Sequence, residues 1–205
     1  MRKRTLTMLI LAAVVAFAIP ATAQQFFDFN GQTVVPTMVG GALSMNAVIF
    51  DAPPATTPIV LDFANFEYTL VISGLTLDVD GTTQNYSGGM IALYEDAATA
   101  ADFANGATFV DGAALLSGVV TDLSRTMFTP TIGTVLGHVD WTGGTRLSDI
   151  APEDQGGWPL VSGVNASMFQ VEPGYDEKWD GKVEPEEPIV GNEYFGFGEL
   201  KTNFR

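Results

Sequence analysis

The sequence predicts an all-β fold, a single-domain antiparallel β-sandwich of the jelly-roll or immunoglobulin-like type. Three observations lead to this prediction. Apolar and polar residues alternate with a period of two, Gly, Pro, Asn or Asp separates almost every such run, and helical composition is confined to one short segment. A chain of 205 residues is large enough to bury one core, so we expect one domain over 24–205.

A hairpin is the clearest element. Alternation runs through 66–73 and 75–79 to a turn at Asp80-Gly81, and 86–94 predicts the returning strand. Further strands are predicted over 26–29, 33–39, 47–50, 59–63, 115–123, 132–141, 160–163, 168–171 and 193–200. Short strands at this spacing are typical of sandwiches and barrels.

One short surface helix is predicted over 96–105. Asp96 can cap its start, the residues up to Ala104 are rich in alanine, and Asn105-Gly106 can end it in a left-handed conformation. We expect Phe103 to pack this helix against an end of the sheet.

Residues 1–23 have the pattern of a signal peptide. A basic start at 2–4 precedes an apolar stretch over 6–19, and Ala21-Thr22-Ala23 offers the small residues that signal peptidase requires. No second stretch is long enough to span a membrane, so the sequence predicts an exported protein, extracellular, at the cell surface or in the periplasm. Cleavage would change the net charge from −15 to −18.

Composition excludes several classes of function. The strong negative charge would repel nucleic acid. The absence of Cys excludes disulfide scaffolds, thiol enzymes and Cys-based zinc sites, and one His is too few for a two-His metal site.

The acidic segment 172–191 is predicted to be a loop with a tentative calcium site. Its candidate ligands are Asp176, Asp180, Glu184 and Glu187, hard oxygen donors around a WDG turn. A true EF-hand is rejected, because Lys178 occupies a ligand position and prolines forbid the exiting helix. The alternative is an acidic loop that only contacts solvent.

His138 and Asp140 should project from the same face of a strand, close enough to pair. With a serine they could form a hydrolase triad, but the chain has no G-x-S-x-G motif. We therefore expect a non-enzyme.

Several motifs resemble uncharacterised exported bacterial β-rich proteins. They are Tyr94-Glu95-Asp96 with Phe103-Ala104, residues 108–112 with 115–118, and Pro173-Gly174-Tyr175 with 179–182. Some such proteins carry PEP-CTERM-type sorting tails, whereas residues 198–205 here lack that motif. The resemblance implies an exported, bacterial, β-rich protein and no activity.

The leading functional hypothesis is a non-catalytic exported β-sandwich that acts as a cell-surface, extracellular-matrix or assembly and binding module. Its partners would be further copies, through strand addition by 24–36, or surface glycans. A calcium- or carbohydrate-binding module is one alternative, the latter using exposed tryptophans among acids. The other is an eight-stranded outer-membrane barrel, which fits the length and short turns, although Phe204 is penultimate and no aromatic girdle is evident.

Overall fold

The structure, a computed structural model, describes residues 25–54 and 57–186. The strands are β1 (Phe27–Val34), β2 (Ala42–Ile49), β3 (Glu67–Val79), β4 (Thr83–Ser87), β5 (Gly89–Asp96), β6 (Ala113–Met127), β7 (Ile132–Gly143), β8 (Trp158–Asn165) and β9 (Glu177–Val183). Three short 3₁₀ turns lie at Gly106–Phe109, Leu147–Asp149 and Pro152–Asp154. Across the described residues there is no helix with the length and hydrophobicity of a membrane span.

The strands close into an eight-stranded antiparallel β-barrel. Strands that follow one another in the chain pair, except β4 with β5, and β9 pairs with β1 from Phe27 opposite Val183 to Thr33 opposite Glu177. Strands β4 and β5, divided by Gly88, share one place between β3 and β6. The predicted β-sandwich is therefore wrong, because the ends of the sheet pair with each other. The eight-stranded barrel of the outer-membrane hypothesis is confirmed as an architecture.

Alternation along the strands places apolar side chains inside the barrel. In β9, Trp179 and Val183 are fully buried, whereas Asp180 and Lys182 face outward and are exposed. The barrel interior is filled mainly by Leu, Ile, Val, Phe and Trp from the strands. The barrel thus encloses a packed core, and its outer wall carries charged side chains together with some exposed apolar ones, such as Met90 and Leu136.

An aromatic cluster fills one end of the interior. The Phe27 ring stacks on Trp158 at 6.0 Å between centroids and meets Trp141 edge-on at 6.2 Å. Trp158 also donates its indole N–H to the Asp154 carbonyl at 2.7 Å. All three tryptophans of the chain are buried, Trp179 included. They therefore offer no exposed aromatic platform of the kind the carbohydrate hypothesis expected.

Two glycines allow close approach of neighbouring strands. A Cβ on Gly118 would lie 2.2 Å from the Asp140 carbonyl oxygen, and one on Gly181 would lie 2.2 Å from the Val161 carbonyl oxygen. A side chain at either position would force the two neighbouring strands apart, so these strand glycines permit the tight curvature of the wall.

The predicted helix over 96–105 does not form. Asp96 ends β5, and its carboxylate accepts from the Ala98 and Thr99 amides at 2.9 and 2.8 Å, as a cap would. The next amides, however, donate to side chains: Ala101 to Glu67 and Asp102 to Thr108. A helix of this length is marginal alone, and these bonds replace its ladder. Phe103 does pack, against Phe109 and Tyr175 at ring centroid distances of 4.9 and 5.9 Å.

The predicted loop over 172–191 is also corrected, because Glu177–Val183 forms β9. The alternation of this strand is not evident in the sequence, because Glu177 and Gly181 occupy inward positions together with the apolar Trp179 and Val183. Strand addition through 24–36 has no free edge here, because β1 is hydrogen-bonded to both β2 and β9.

The other strand predictions have mixed outcomes. The hairpin of β3 with β4 and β5 is confirmed. Run 26–29 is confirmed as part of β1, whereas 33–39 is mostly wrong, because β1 ends at Val34 and a loop follows. Neither 59–63 nor 168–171 forms a strand. The signal peptide over 1–23, the strand over 193–200 and Phe204 lie outside the described residues.

Loss of the aromatic cluster should destabilise the barrel. Trp158→Ala removes a side chain that is 1% exposed, so we expect the free energy of unfolding to fall by about 3–5 kcal/mol. Met90→Ala, at an exposed wall position, is the matched control and should change it by less than about 0.5 kcal/mol. Urea denaturation measures both, and equal effects would contradict the assigned core.

Candidate functional site

A charged pair lies inside the barrel at the end opposite the aromatic cluster. Arg125 of β6 donates its Nε to Glu177 Oε2 of β9 at 2.9 Å, and a second guanidinium nitrogen contacts Glu177 Oε1. Glu177 is 3% exposed and also accepts from the Trp179 indole at 3.1 Å. The two strands are not neighbours in the sheet, so this bidentate pair ties separate parts of the wall together.

A small network extends from this pair. Arg125 Nη1 and the Tyr86 hydroxyl both donate to Gln84 Oε1 at 2.8 Å, and Gln84 Nε2 donates to Asp80 at 2.8 Å. The network therefore runs from the interior to a turn at the surface. Satisfying so many donors and acceptors offsets part of the cost of burying charge.

Burial shapes the ionisation of this network. Desolvation raises the pKa of Tyr86 from 10.0 to about 12, Arg125 opposes the shift, and Glu177 and Asp80 reinforce it. Desolvation alone would lower the pKa of Arg125, but its hydrogen bond to Glu177 and the charge of that carboxylate leave it raised. The guanidinium thus stays charged and the phenol neutral at any ordinary pH.

Arg125 and Glu177 are not among the site residues predicted from the sequence. A signal was present, because Leu123, Arg125 and Met127 alternate on one face, which places an arginine in an inward register. Glu177 shares an inward register with Trp179. A lone charge among inward residues predicts an opposite partner, but the partner's identity needs the tertiary structure.

The candidate calcium ligands do not converge where they are described. Asp176 precedes β9 and accepts from the Val35 amide at 2.8 Å, Asp180 faces outward from β9, and Glu184 follows the strand and pairs with Lys182. An extended strand rises about 3.3 Å per residue, which separates Asp176 from Glu184 by roughly 26 Å. Glu187 lies outside the described residues.

No three His, Asp or Glu side chains in the described part of the chain come together in a way that could hold a metal ion. The calcium site stays a prediction of the sequence alone, without support from the placement of these carboxylates.

His138 pairs with a different carboxylate from the one expected. Its Nδ1 lies 2.8 Å from Asp122 Oδ1 of β6, and both side chains are about half exposed. Asp140 instead accepts from the Gly157 amide at 2.7 Å. The neighbouring strand supplies the partner because β6 and β7 bring Asp122 opposite His138 in the ladder.

A shallow groove of about 300 Å³ runs along the outer wall over β8 and β9. Its side chains include Phe50, Val161, Asp28 and Lys182. Burial raises the pKa of Asp28. The negative charges of Asp51, Glu184 and Asp180 reinforce this shift, and the positive charge of Lys182 opposes it. The groove therefore combines one exposed ring, that of Phe50, with charged side chains, of which Lys182 pairs with Glu184.

Four loops meet at the barrel end that carries the Arg125–Glu177 pair, and we name them the loop crown: 35–41, 80–82, 128–131 and 166–176. Hydrogen bonds hold the crown loops to neighbouring strands and, in one case, to each other. They run from Gly40 N to Leu77 O at 2.8 Å, from Met127 N to Thr82 O at 3.3 Å, from Ala166 N to Thr131 O at 2.9 Å and from Glu172 N to Gln32 Oε1 at 3.1 Å.

The loop crown carries the most exposed apolar side chains of the described residues. They are Phe169 (87%), Met168 (82%), Met38 (68%), Phe128 (67%) and Val39 (59%). The next in order, Met90 on the wall, is 53% exposed. Singly exposed apolar residues are ordinary on a protein surface, but here the five most exposed large ones all lie in loops at one end of the barrel.

Comparison with known proteins adds no relative: the chain matches no protein-family model, no curated protein and no solved structure.

Breaking the buried pair should cost far more than breaking a surface pair. Glu177→Gln leaves the Arg125 charge without its counter-ion, and we expect a loss of about 3–5 kcal/mol of unfolding free energy. Asp149→Asn, which breaks the half-exposed pair with Arg146, should cost less than about 1 kcal/mol.

A double-mutant cycle with Arg125→Met isolates the coupling. The double variant Arg125→Met/Glu177→Gln should be more stable than the sum of the single losses predicts. Additivity within about 0.5 kcal/mol would show that the two groups are independent.

Stability should fall at alkaline pH through Tyr86. The folded protein holds its phenolic proton up to a pKa of about 12, whereas the unfolded chain loses it near 10.0, so stability present below pH 10 is lost as pH rises towards 12. Tyr86→Phe should flatten this slope by on the order of 1–2 kcal/mol across the interval. Melts at successive pH values measure the slope, and identical slopes for both proteins would contradict the assignment.

Proposed function

We propose that this protein is an exported, non-catalytic β-barrel that works in the aqueous phase as a binding module, with the loop crown as its binding surface. The observation that carries the proposal is that the five most exposed large apolar side chains of the described residues belong to three loops at one end of the barrel. Export rests on the signal-peptide pattern of 1–23.

The directions in which charged and apolar side chains point support an aqueous barrel over an outer-membrane one. Outer-membrane barrels present an apolar band about 25 Å tall to the lipid and keep a polar interior. Here Asp28, Asp122, His138, Asp180 and Lys182 lie on the outer wall, while the interior is mainly apolar. Charges on the lipid face of a barrel cost up to about 2–4 kcal/mol each near the bilayer midplane.

A rigid barrel with exposed loops is a common design for binding. Closure removes sheet edges, so the wall offers no strand for pairing, and loops at an end can carry recognition residues on a fixed frame. The buried Arg125–Glu177 pair and its link to Asp80 stiffen the wall directly beneath the crown.

Phase partitioning tests the aqueous part of this proposal. After mixing with a detergent that separates on warming, the mature protein should remain in the water-rich phase, because charged side chains such as Asp122, Asp180 and Lys182 lie on its wall. Recovery in the detergent-rich phase would overturn the aqueous barrel and return the outer-membrane hypothesis to first place.

Paired surface variants test the binding part. Met168→Ser/Phe169→Ser removes two crown side chains, and Met90→Ser/Leu136→Ser removes two wall side chains that are 53% and 52% exposed. If the crown binds, the native size of the exported protein in its host should shift from a complex to the free barrel only for the crown variant. The same size for the wild type and both variants would contradict the proposed surface.

A further inference from the structure

The charges around the loop crown restrict what can bind it. The exposed acids Asp78, Asp80, Glu172 and Asp176 lie in its loops or in the strand ends that carry them, and Lys178 is the partly exposed base beside them. Arg125, the other base of this end among the described residues, is buried and neutralised by Glu177. The crown is therefore an apolar surface with a negative rim.

This combination disfavours two obvious occupants. A second copy docked crown to crown would set four acids against four, and like charges across an interface cost binding energy. An anionic lipid surface would repel both the rim and a chain whose net charge is already −15. A partner with positive charge meets neither penalty.

Resting on the proposed function, we propose that the loop crown binds a cationic amphipathic partner, a protein or peptide surface with an apolar centre flanked by Lys or Arg. Met168, Phe169 and Phe128 would cover the partner's apolar residues. The rim acids would attract and orient its basic groups. Met side chains adapt to partners of differing shape, which suits a loop surface of this kind.

A defined peptide pair provides the probe. The first is an amphipathic helix of leucine and lysine with a fluorescent label, and the second carries glutamate in place of every lysine. Fluorescence anisotropy with the full mature protein gives the Kd of each. We expect saturable binding of the lysine peptide that weakens with added salt, and no binding of the glutamate peptide.

Charge-neutralising variants locate the effect. Asp80→Asn/Glu172→Gln removes two rim charges and should weaken binding of the lysine peptide about 5- to 10-fold. Asp111→Asn/Glu153→Gln removes two exposed charges from loops at the opposite end and leaves the same net charge. This control should change the Kd less than 2-fold. Equal weakening in both variants would mean attraction by the whole molecule and would overturn the rim assignment.

The apolar variant separates the two levels of the proposal. Met168→Ser/Phe169→Ser should weaken binding of the lysine peptide by about 10-fold or more, with an unchanged melting temperature. If this variant weakens both peptides equally, the crown binds but its partner is not cationic, and only the further inference fails. If it affects neither peptide, the crown is not the binding surface and the proposed function fails with it.

Two further measurements oppose the rival occupants. If the wild-type protein sediments with phosphatidylcholine vesicles and the Met168→Ser/Phe169→Ser variant does not, the crown binds a neutral lipid surface instead. A dimer in analytical ultracentrifugation, abolished by the same variant, would assign it to a second copy. The proposal requires that the wild-type protein neither sediments with the vesicles nor dimerises.

Discussion

Pairing of β1 with β9 is the contact on which the rest of this structure depends. It joins Phe27–Val34, near the start of the described chain, to Glu177–Val183, near its end, and turns a meandering sheet into a closed barrel. Without it, both strands would expose unpaired backbone at an edge. With it, every strand has two neighbours, and the inner faces together form one enclosed core.

Closure divides the interior into two regions of different chemistry. One end is filled by Phe27, Trp141 and Trp158, whose burial supplies hydrophobic stabilisation. The other holds the charged pair Arg125–Glu177 with its hydrogen-bonded neighbours. Such a pair adds little net stability over an apolar equivalent, but its bidentate geometry fixes how β6 and β9 are placed. That rigidity lies directly below the loops proposed to bind.

The surface follows from the same alternation. Because most apolar strand residues face inward, charged side chains such as Asp122, Asp180 and Lys182 are left on the outer wall. The wall groove over β8 and β9 is shallow, and the His138–Asp122 pair is exposed, with its two side chains in contact. The loop crown differs, since its apolar side chains have no comparable cover within the described chain. This contrast makes the crown the candidate surface.

The sequence alone determined that the chain is β-rich and which residues of the main hairpin alternate, because a period of two reports one buried face in any sheet. It could not separate a sandwich from a barrel, since both bury one face per strand and differ only in which strands pair. The helix expected at 96–105 does not form because the side chains of Glu67 and Thr108 accept hydrogen bonds from the Ala101 and Asp102 amides. Glu67 is distant in the sequence, and Thr108 lies beyond the end of the expected helix. The Arg125–Glu177 pair, and the grouping of Met38, Phe128 and Phe169 at one end, likewise arose only in the tertiary structure. Residues far apart in the chain become neighbours through barrel closure, and nothing local to either residue encodes the other.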